Sequence, residues 1–221
     1  METLDAIRQR ASTRAFLDQP VDRALIETLL EAARWAPSGV NTQPWQVAVV
    51  TGRTKEKLSQ ALAAARTGDT PDQPDYAYYP TVWLEPYKSR RKICGLALYQ
   101  SQGITLDDTQ RRKAAWLNNY HFFGAPVGLL FFVDKSLATG SWVDMGMFIQ
   151  NVMLAALDRG LATCPQASIA EYPDIVRTLL HIPAQRALVC GMSLGYADPS
   201  ASVNNYRTPR EPVDAFTQWH D

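Results

Sequence analysis

Apolar residues recur every three or four positions in several segments of the chain, which is the pattern of amphipathic helices. The clearest segment begins after Asp22, which can cap a helix N-terminus. It ends before Pro37, because the residue preceding a proline avoids the helical region. By the same pattern we predict further helices over residues 3–11, 55–66, 87–102, 107–121, 141–159 and 171–181.

The segment 141–159 is apolar on nearly every side of the predicted helix. Ser141 and Asp144, three residues apart, form a variant of the capping box at its start. Gly160 is suited to end it in a left-handed conformation. A helix that is apolar all round has to be buried, either in the centre of the core or against another subunit.

Four short runs have the composition of β-strands: residues 45–50, 127–133, 160–164 and 187–192. Residues 127–133 form a continuous apolar run, which suits a strand buried on both faces. Together with the helices, these runs predict an α+β fold in one domain over residues 1–221, with a small buried sheet wrapped by helices.

Two segments lack a regular pattern. Residues 67–86 contain four prolines, and long loops of this kind are often functional lids, so we predict a lid over about residues 67–103. Residues 198–221 form a tail rich in Asn, Arg, Pro and Thr, with Phe216 and Trp219 near its end. Because such a tail cannot build its own core, we expect it to lie along another surface.

The composition is that of an ordinary globular protein. Of the 221 residues, 46% are hydrophobic and 20% are charged, which argues against intrinsic disorder. Lys plus Arg and Asp plus Glu both number 22, so the formal net charge is +0. This balance argues against a nucleic-acid or membrane partner, although it leaves room for a local cationic pocket.

The sequence also bears on location and metal binding. Residues 1–5 lack the basic start of a secretory signal, and the apolar run 125–133 is too short to span a bilayer, so we expect a soluble, cytoplasmic protein. Cys94, Cys164 and Cys190 form no Cys-x-x-Cys pair and have no nearby His at metal spacing. We therefore predict no metal site and assign the cysteines to packing.

Arginines gather near both ends of the chain. No glycine-rich dinucleotide fingerprint and no phosphate loop occurs. Guanidinium groups bind phosphate through paired hydrogen bonds, so two separated clusters could converge on one phosphomonoester. Spacing alone favours the other reading, in which these arginines are solvated surface residues. The arginines are Arg8, Arg10 and Arg14, which bracket Ser12, and Arg207 and Arg210.

Four segments, taken together, resemble the FMN-dependent nitroreductase family, and within it the bacterial nitroarene reductases. They are Arg-Ala-Ser-Thr-Arg at 10–14, Ala-Pro-Ser-Gly-Val-Asn-Thr-Gln-Pro-Trp at 36–45, Gly-Leu-Ala-Thr-Cys-Pro-Gln-Ala-Ser at 160–168, and Asn-Tyr-Arg-Thr-Pro-Arg-Glu-Pro at 205–212. Each motif alone is weak, but all four occur in order, and the resemblance spans nearly the whole chain.

The resemblance implies a nitroreductase-like fold with a mostly antiparallel sheet, and an intertwined homodimer with an exchanged C-terminal tail and two FMN sites at the interface. It implies that Arg10, Ala11, Ser12 and Arg14 meet the FMN phosphate and ribityl chain, with Arg210 and Arg207 closing on the phosphate. Pro37, Ser38, Gly39, Asn41 and Gln43 would come from the other subunit, and Pro165, Ala167 and Ser168 would face the flavin ring.

Two features qualify these assignments. Ala11 stands where several relatives have a larger basic residue, and Ala167 and Ser168 stand where some relatives have an acidic residue and glycine. The residues of 37–45 alone favour a helix-to-strand connector in which Ser38 and Asn41 make only turn hydrogen bonds.

The activity implied by the resemblance is reduction of nitroaromatic compounds to hydroxylamines, in two-electron steps of a ping-pong cycle, with NADPH or NADH as hydride donor. The hydride chemistry belongs to FMN, so no catalytic side chain is expected. Reduction of quinones or activated alkenes, reductive dehalogenation, and flavin binding without turnover are the alternatives.

Aromatic residues of the lid and of residues 122–123 are candidates for the acceptor pocket, because flat acceptors pack well between aromatic rings. The candidates are Tyr78, Trp83, Tyr87, Phe122 and Phe123. Phe122 and Phe123 could equally belong to the core. Arg90, Arg91 and Lys92 could steer an acidic substrate or the NADPH phosphate, although a solvated helix face is the more common arrangement.

Overall fold

A computed structural model describes residues 1–68 and 70–220 of the chain. Asp69, in the predicted lid, and Asp221, at the end of the predicted tail, lie outside the described residues. The helices are α1 (Thr3–Gln9), α2 (Arg23–Ala33), α3 (Gly52–Thr67), α4 (Tyr87–Gln100), α5 (Thr109–Leu117), α6 (Gly140–Asp158) and α7 (Pro173–Leu180). The strands are β1 (Gln46–Thr51), β2 (Val127–Asp134), β3 (Ala162–Gln166) and β4 (Arg186–Gly195).

The four strands form one sheet in the order β1-β2-β4-β3, and each neighbouring pair is antiparallel. In the registers, Val50 lies opposite Gly128, and Cys164 lies opposite Ser193. The predicted α+β fold with a small antiparallel sheet is therefore confirmed. In this order β1 and β3 are the edge strands.

Strand β2 is buried on both faces, as its continuous apolar run predicts. Leu129 and Phe131 point into a core formed with α2 and α6. Leu130 and Phe132 point into a second core, formed with α3 and α7. The alternation follows from the two-residue period of a strand, so this one short segment joins both halves of the core.

Helix α6 packs against α2 and the sheet, and about half of its apolar residues are buried within the chain itself, while Val143 is exposed. The predicted capping box is wrong: Ser141 lies inside the helix, Thr139 is the N-cap, and no side chain caps this end. Asp144 instead accepts a hydrogen bond from the backbone N–H of Gly39, at 3.2 Å. Gly160 ends the segment at φ +72°, as predicted.

Two other helix starts differ from their predictions. Asp22 occupies the N-cap position of α2, but its side chain makes no capping hydrogen bond. Helix α7 begins at Pro173, because Ala167–Glu171 forms a 3₁₀ turn before it. A proline at the first helical position loses no helical hydrogen bond, which favours a start there.

The lid segment before α4 is irregular, as its prolines predict, and its start is tied to the sheet. Buried Asp75 accepts hydrogen bonds from Arg177 at 2.6 Å and from the Leu188 N–H at 2.9 Å, and pairs with Lys135 at 2.8 Å. Burial alone would raise the pKa of Asp75, but the hydrogen bonds from Arg177 and Lys135 hold it below its ordinary value. The hydroxyl of Tyr76 donates to the carbonyl of Val189 at 2.6 Å.

The tail contains two short 3₁₀ turns, Ser202–Asn204 and Val213–Ala215. Beyond them, Phe216 is 71% exposed and Trp219 is 76% exposed. Both rings are therefore largely unburied by the rest of their own chain. Among the described residues, no helix combines the length and apolarity needed to cross a membrane.

Gly128 on β2 lies where a side chain has no room. A Cβ at this position would stand 2.7 Å from the ring of Phe122 and 2.9 Å from Val50. We expect Gly128→Ala to lower the free energy of unfolding by about 1–3 kcal/mol, the usual cost of overpacking a core. Gly95→Ala in α4, where a Cβ would meet nothing within 4 Å, should leave stability unchanged or raise it slightly. Urea unfolding of both variants checks this, and equal stabilities would contradict it.

Candidate functional site

Arginines from both ends of the chain line one cavity of about 590 Å³, which we call the arginine cavity. Its wall is formed by Ile7, Arg8, Arg10, Ala11, Ser12, Arg14, Cys94, Tyr206, Arg207, Thr208 and Arg210. The two clusters that are far apart in sequence therefore meet. The arrangement of scattered, solvated arginines, which spacing alone favoured, is not the one observed.

The sheet and one asparagine bring the two ends of the chain together. Residues 12–13 run beside β3, where the N–H of Thr13 donates to the carbonyl of Thr163 at 2.9 Å. Asn204 of the tail accepts from the N–H of Arg14 at 2.8 Å and donates to the carbonyl of Ala15 at 2.9 Å. Because the side chain of Asn204, which does not line the cavity, bonds to backbone atoms of Arg14 and Ala15, the tail is held against the N-terminal segment whatever side chains line the cavity.

Neutral oxygens hold the guanidinium groups in place. Arg14 Nη1 donates to the hydroxyl of Tyr206 at 2.8 Å. Arg207 donates to the carbonyl of Tyr206 at 2.9 Å, and Arg210 donates to the hydroxyl of Thr208 at 2.9 Å. Such contacts orient the arginines without neutralising them.

The positive charge of the cavity has no counter-charge among the described residues that line it. The lining includes five arginines and no Asp or Glu. Burial, and after it the charge of Arg210, lowers the pKa of Arg10. Like charges held together in this way favour a bound anion, and phosphate suits guanidinium groups best. The cavity therefore has the charge and the hydrogen-bond donors that a phosphate group would require.

The predicted flavin-facing residues lie at the end of β3. Pro165 is the penultimate residue of the strand, and Ala167 and Ser168 begin the 3₁₀ turn that follows. They do not line the arginine cavity, but β3 connects them to it through its pairing with residues 12–13. The hydroxyl oxygen of Ser168 is buried and has no hydrogen-bond partner among the described residues.

The loop of residues 37–43 lies on the surface, away from the arginine cavity of its own chain. The Ser38 hydroxyl accepts from the N–H of Gln43 at 3.0 Å, a turn hydrogen bond of the kind a simple connector would make. Pro37, Gly39 and Asn41 are exposed. None of these residues lines the arginine cavity, and in the described part of the chain no hydrogen bond joins them to its arginines or to the end of β3.

The same loop has a strained backbone. Val40, Asn41 and Gln43 all have positive φ, at 45°, 57° and 49°. A β-branched residue rarely adopts this conformation, which costs about 1–3 kcal/mol, and Val40 is fully exposed, so its side chain recovers nothing by packing. Strain of this kind is common where a loop is shaped for a ligand or a partner.

The lid carries a row of neighbouring aromatic rings, which we call the aromatic cluster: Tyr76, Tyr78, Tyr79 and Trp83. Ring centroids are 4.6 Å apart for Tyr78 and Tyr79 and 5.7 Å apart for Tyr79 and Trp83. Tyr78, Tyr79 and the nearby Tyr87 are exposed. The cluster is therefore a surface of rings, available to a flat ligand.

Of the two phenylalanines placed in the acceptor pocket, Phe122 does not belong there. It is completely buried in the core beside Gly128, so the prediction that it contacts an acceptor is wrong and the core alternative holds. Phe123 is half-buried and lines a narrow crevice with Arg14 and Trp116. It stays a candidate because Arg14 lies on both the crevice and the arginine cavity.

Sequence reasoning missed several residues of the cavity. Tyr206 and Thr208 stand inside the fourth motif, so their position next to the arginines could have indicated a role. Asn204 is a typical residue for bonding to a nearby backbone. Cys94 gave no signal, since its place on the wall depends on how α4 packs.

Comparison with known proteins identifies the family. The model of the nitroreductase family matches residues 7–196. The chain is 42% identical over 214 residues to a 4-nitrobenzoate reductase of Pseudomonas putida, covering 96% of this chain and 93% of that protein.

Solved structures agree with the sequence comparison. The FMN and NADPH-dependent nitroreductase NfnB from Sphigopyxis sp. strain HMH is similar with a TM-score of 0.97 at 41% identity, over 100% of both chains. NfnB from Mycobacterium smegmatis, in complex with NADPH, gives a TM-score of 0.94 at 33% identity, over 99% of this chain and 97% of that one. With a family match over this span and relatives along nearly its whole length, the chain belongs to the nitroreductase family.

Proposed function

We propose that this protein binds FMN and uses NADPH or NADH to reduce nitroaromatic compounds to hydroxylamines. The arginine cavity carries the proposal, because five guanidinium groups without a lining carboxylate suit the phosphate of FMN. The relatives named as a 4-nitrobenzoate reductase and as FMN and NADPH-dependent nitroreductases support it. Reduction of quinones or activated alkenes, reductive dehalogenation and flavin binding without turnover are outcomes of the tests below.

The described residues fit FMN at two places. In the arginine cavity, Arg10, Arg14, Arg207 and Arg210 would hold the phosphate, with the Ser12 hydroxyl as a further donor. Ala11, also on the wall, adds no charge of its own. At the end of β3, the unpartnered hydroxyl of Ser168 has hydrogen-bonding capacity left for a ligand. Pro165 and Ala167 precede Ser168 in the chain, and we propose that residues 165–168 face the flavin ring.

When bound, FMN supplies the hydride chemistry, which passes reducing equivalents from the nicotinamide donor to the acceptor. The chain's own part is to bind and orient. Its buried thiols do not compete as nucleophiles, because burial raises the pKa of Cys164 and raises that of Cys190 to about 12. Backbone N–H groups near the end of β3 would favour negative charge on a neighbouring ring.

We assign the acceptor pocket to the lid. The aromatic cluster and Tyr87 present rings on which a nitroarene could pack, and offset stacking adds about 0.5–1.5 kcal/mol per ring pair beyond burial. Trp83 and Tyr78 therefore remain pocket candidates, together with Phe123. The contacts of Asp75 with α7 and with Lys135, which follows β2, and the contact of Tyr76 with β4 would keep these rings in place while the acceptor exchanges.

We propose further that the protein works as an intertwined homodimer. The loop of residues 37–43 does not contact its own arginine cavity, and its strained, exposed backbone is shaped for another surface. In the dimer, Ser38, Gly39, Asn41 and Gln43, with Pro37, would complete the FMN site of the other subunit. Exposed Trp35 and Val143 would be covered by the same interface.

The exposed tail and the edge strand β1 complement each other. A cavity of about 790 Å³ lies beside β1 and α2, and Val49, Ile26 and Leu30 are among its apolar lining residues. Within the described residues, β2 is the one strand paired with β1, so we propose that the outer edge of β1 pairs with another chain. We propose that the partner's tail lies there, which would cover its Phe216 and Trp219 rings. A cytoplasmic location, where thiols stay reduced, suits the three free cysteines and completes the proposal.

The function is tested on the purified protein. We expect a yellow holoprotein whose visible absorbance is bleached by NADPH or NADH without oxygen and restored by nitrobenzene. Turnover should yield the hydroxylamine, with two hydride equivalents consumed per nitro group. A protein that is bleached but restored only by a quinone or a halophenol would be a different reductase, and one that is never bleached would be a flavin carrier.

The phosphate site predicts which arginines retain the cofactor. Arg10→Ala and Arg14→Ala should each raise the dissociation constant for FMN by roughly ten- to a hundredfold, since each removes a charge-assisted hydrogen bond of about 1.5–3 kcal/mol. The control is Arg53→Ala, which removes an exposed arginine of α3 that lines neither this cavity nor the cavity beside β1. Fluorescence titration of the apoprotein with FMN measures the constants, and urea unfolding tests whether folding is intact. Unchanged retention in Arg14→Ala would count against this site.

The exchanged tail predicts a dimer that depends on its terminal rings. The double variant Phe216→Ala, Trp219→Ala should weaken dimerisation by roughly tenfold or more, because buried aromatic anchors carry much of the energy of an interface. Leu106→Ala, which truncates an exposed apolar side chain elsewhere, is the matched control. Sedimentation velocity over a concentration series gives the constants, and a monomeric wild-type protein would refute the dimer.

A further inference from the structure

A cationic segment opens α4 of the lid: Lys88, Arg90, Arg91 and Lys92 lie within its first six residues. Charged runs of this kind are usually solvated, but in the structure these four residues have different neighbours. Arg90 pairs with Glu211 of the tail at 3.0 Å. The other three make no ion pair with any residue in the described part of the chain.

Arg91 differs from the two lysines because aromatic neighbours hold it. Its guanidinium lies 5.2 Å from the ring centroid of Trp83. It is also close to Tyr79, where burial raises the pKa of the phenol and the charge of Arg91 acts in the opposite direction. A guanidinium that stacks on a ring keeps its edge free, so its N–H groups can still donate hydrogen bonds to a ligand.

Arg91 also stands next to the arginine cavity. Cys94, three residues along the same helix, lines that cavity, and residues three apart are neighbours on a helix surface. One side of α4 therefore joins the aromatic cluster to the place proposed for the FMN phosphate. An acceptor that packs on Tyr79 and Trp83 would have the Arg91 charge at its rim.

We infer that Arg91 binds the carboxylate of an acidic nitroarene, whose ring packs on the aromatic cluster, and so sets the preference of the enzyme for carboxylated acceptors. The inference rests on the proposed function and deepens it. A guanidinium fork matches a carboxylate through two parallel hydrogen bonds, which are stronger than those to a neutral group. A neutral nitroarene can pack on the same rings but cannot form these charged hydrogen bonds. The side chain of Arg91 would therefore distinguish acidic from neutral acceptors.

The test compares two acceptors of nearly equal shape, 4-nitrobenzoate and the neutral 4-nitrobenzamide, on the holoenzyme at saturating NADPH. In Arg91→Ala we expect kcat/KM for 4-nitrobenzoate to fall about tenfold or more, mainly through KM, and kcat/KM for the amide to change less than about twofold. Arg91→Lys, which keeps the charge without the fork, should lie between. Calorimetric titration of the oxidised holoenzyme with 4-nitrobenzoate should show the same loss of affinity without turnover.

Lys92→Ala is the matched control, because it removes an adjacent cation that lies over no aromatic ring of the described residues. An equal effect of Lys92→Ala would mean that general charge attraction is responsible and would overturn the inference. So would an Arg91→Ala variant whose only defect is a raised KM for NADPH relative to NADH, since the arginine would then bind the nucleotide phosphate. A wild-type enzyme that reduces both acceptors equally well overturns this inference alone, whereas one that reduces neither overturns the proposed function.

Discussion

The positive charge that the fold concentrates in the arginine cavity is the constraint on which the site depends. Five guanidinium groups share a wall that includes no described carboxylate, and neutral hydroxyl and carbonyl oxygens orient them. Burial and mutual repulsion both disfavour this arrangement in the free chain: burial first, and after it the charge of Arg210, lowers the pKa of Arg10. A bound anion would offset this repulsion, because the arginines would then have a negatively charged partner. The same charges that weaken the apoprotein would thus bind the cofactor tightly.

The cavity needs a scaffold that can bring residues almost 200 positions apart into contact against that repulsion. Backbone pairing supplies it: residues 12–13 lie along β3, and Asn204 bonds to the backbone at Arg14 and Ala15. The sheet in turn is fixed by β2, whose residues enter both cores. The rigidity of the polar site therefore depends on the burial of apolar residues in the two cores, which is the dominant favourable term in folding.

Sequence reasoning found the parts of the fold that depend on local pattern. The continuous apolar run of β2 requires burial on both faces, and the structure has it; the apolar surface of α6 is buried against the core on one side, while Val143 on another side is exposed. The errors concern side chains whose partners are distant in sequence. Asp144 was predicted to take part in capping its own helix, but its carboxylate instead accepts a hydrogen bond from the backbone N–H of Gly39 in the loop. Phe122 could be judged only once Gly128 was known to leave room for its ring.

The site was predictable to a similar extent. The arginines were found as two clusters, but their meeting depends on the route of the tail, which no periodic pattern encodes. Arg207 and Arg210 were found as a cationic pair, and the resemblance implied their place at the phosphate. Tyr206, which bonds to Arg14, was missed although it stands between them and the N-terminal cluster in the fold.

The strained loop around Val40 shows how an exposed segment can be read physically. A β-branched residue with positive φ and a fully exposed side chain costs free energy that this chain alone does not recover. Yet the loop is held in that shape by Asp144 from the core helix and by the Ser38 hydroxyl, so the strain is imposed by the fold. Holding the loop in advance removes the entropy cost of ordering it when it meets its target. In the proposed dimer, that target is the other subunit's FMN site, which would make cofactor binding and assembly mutually stabilising.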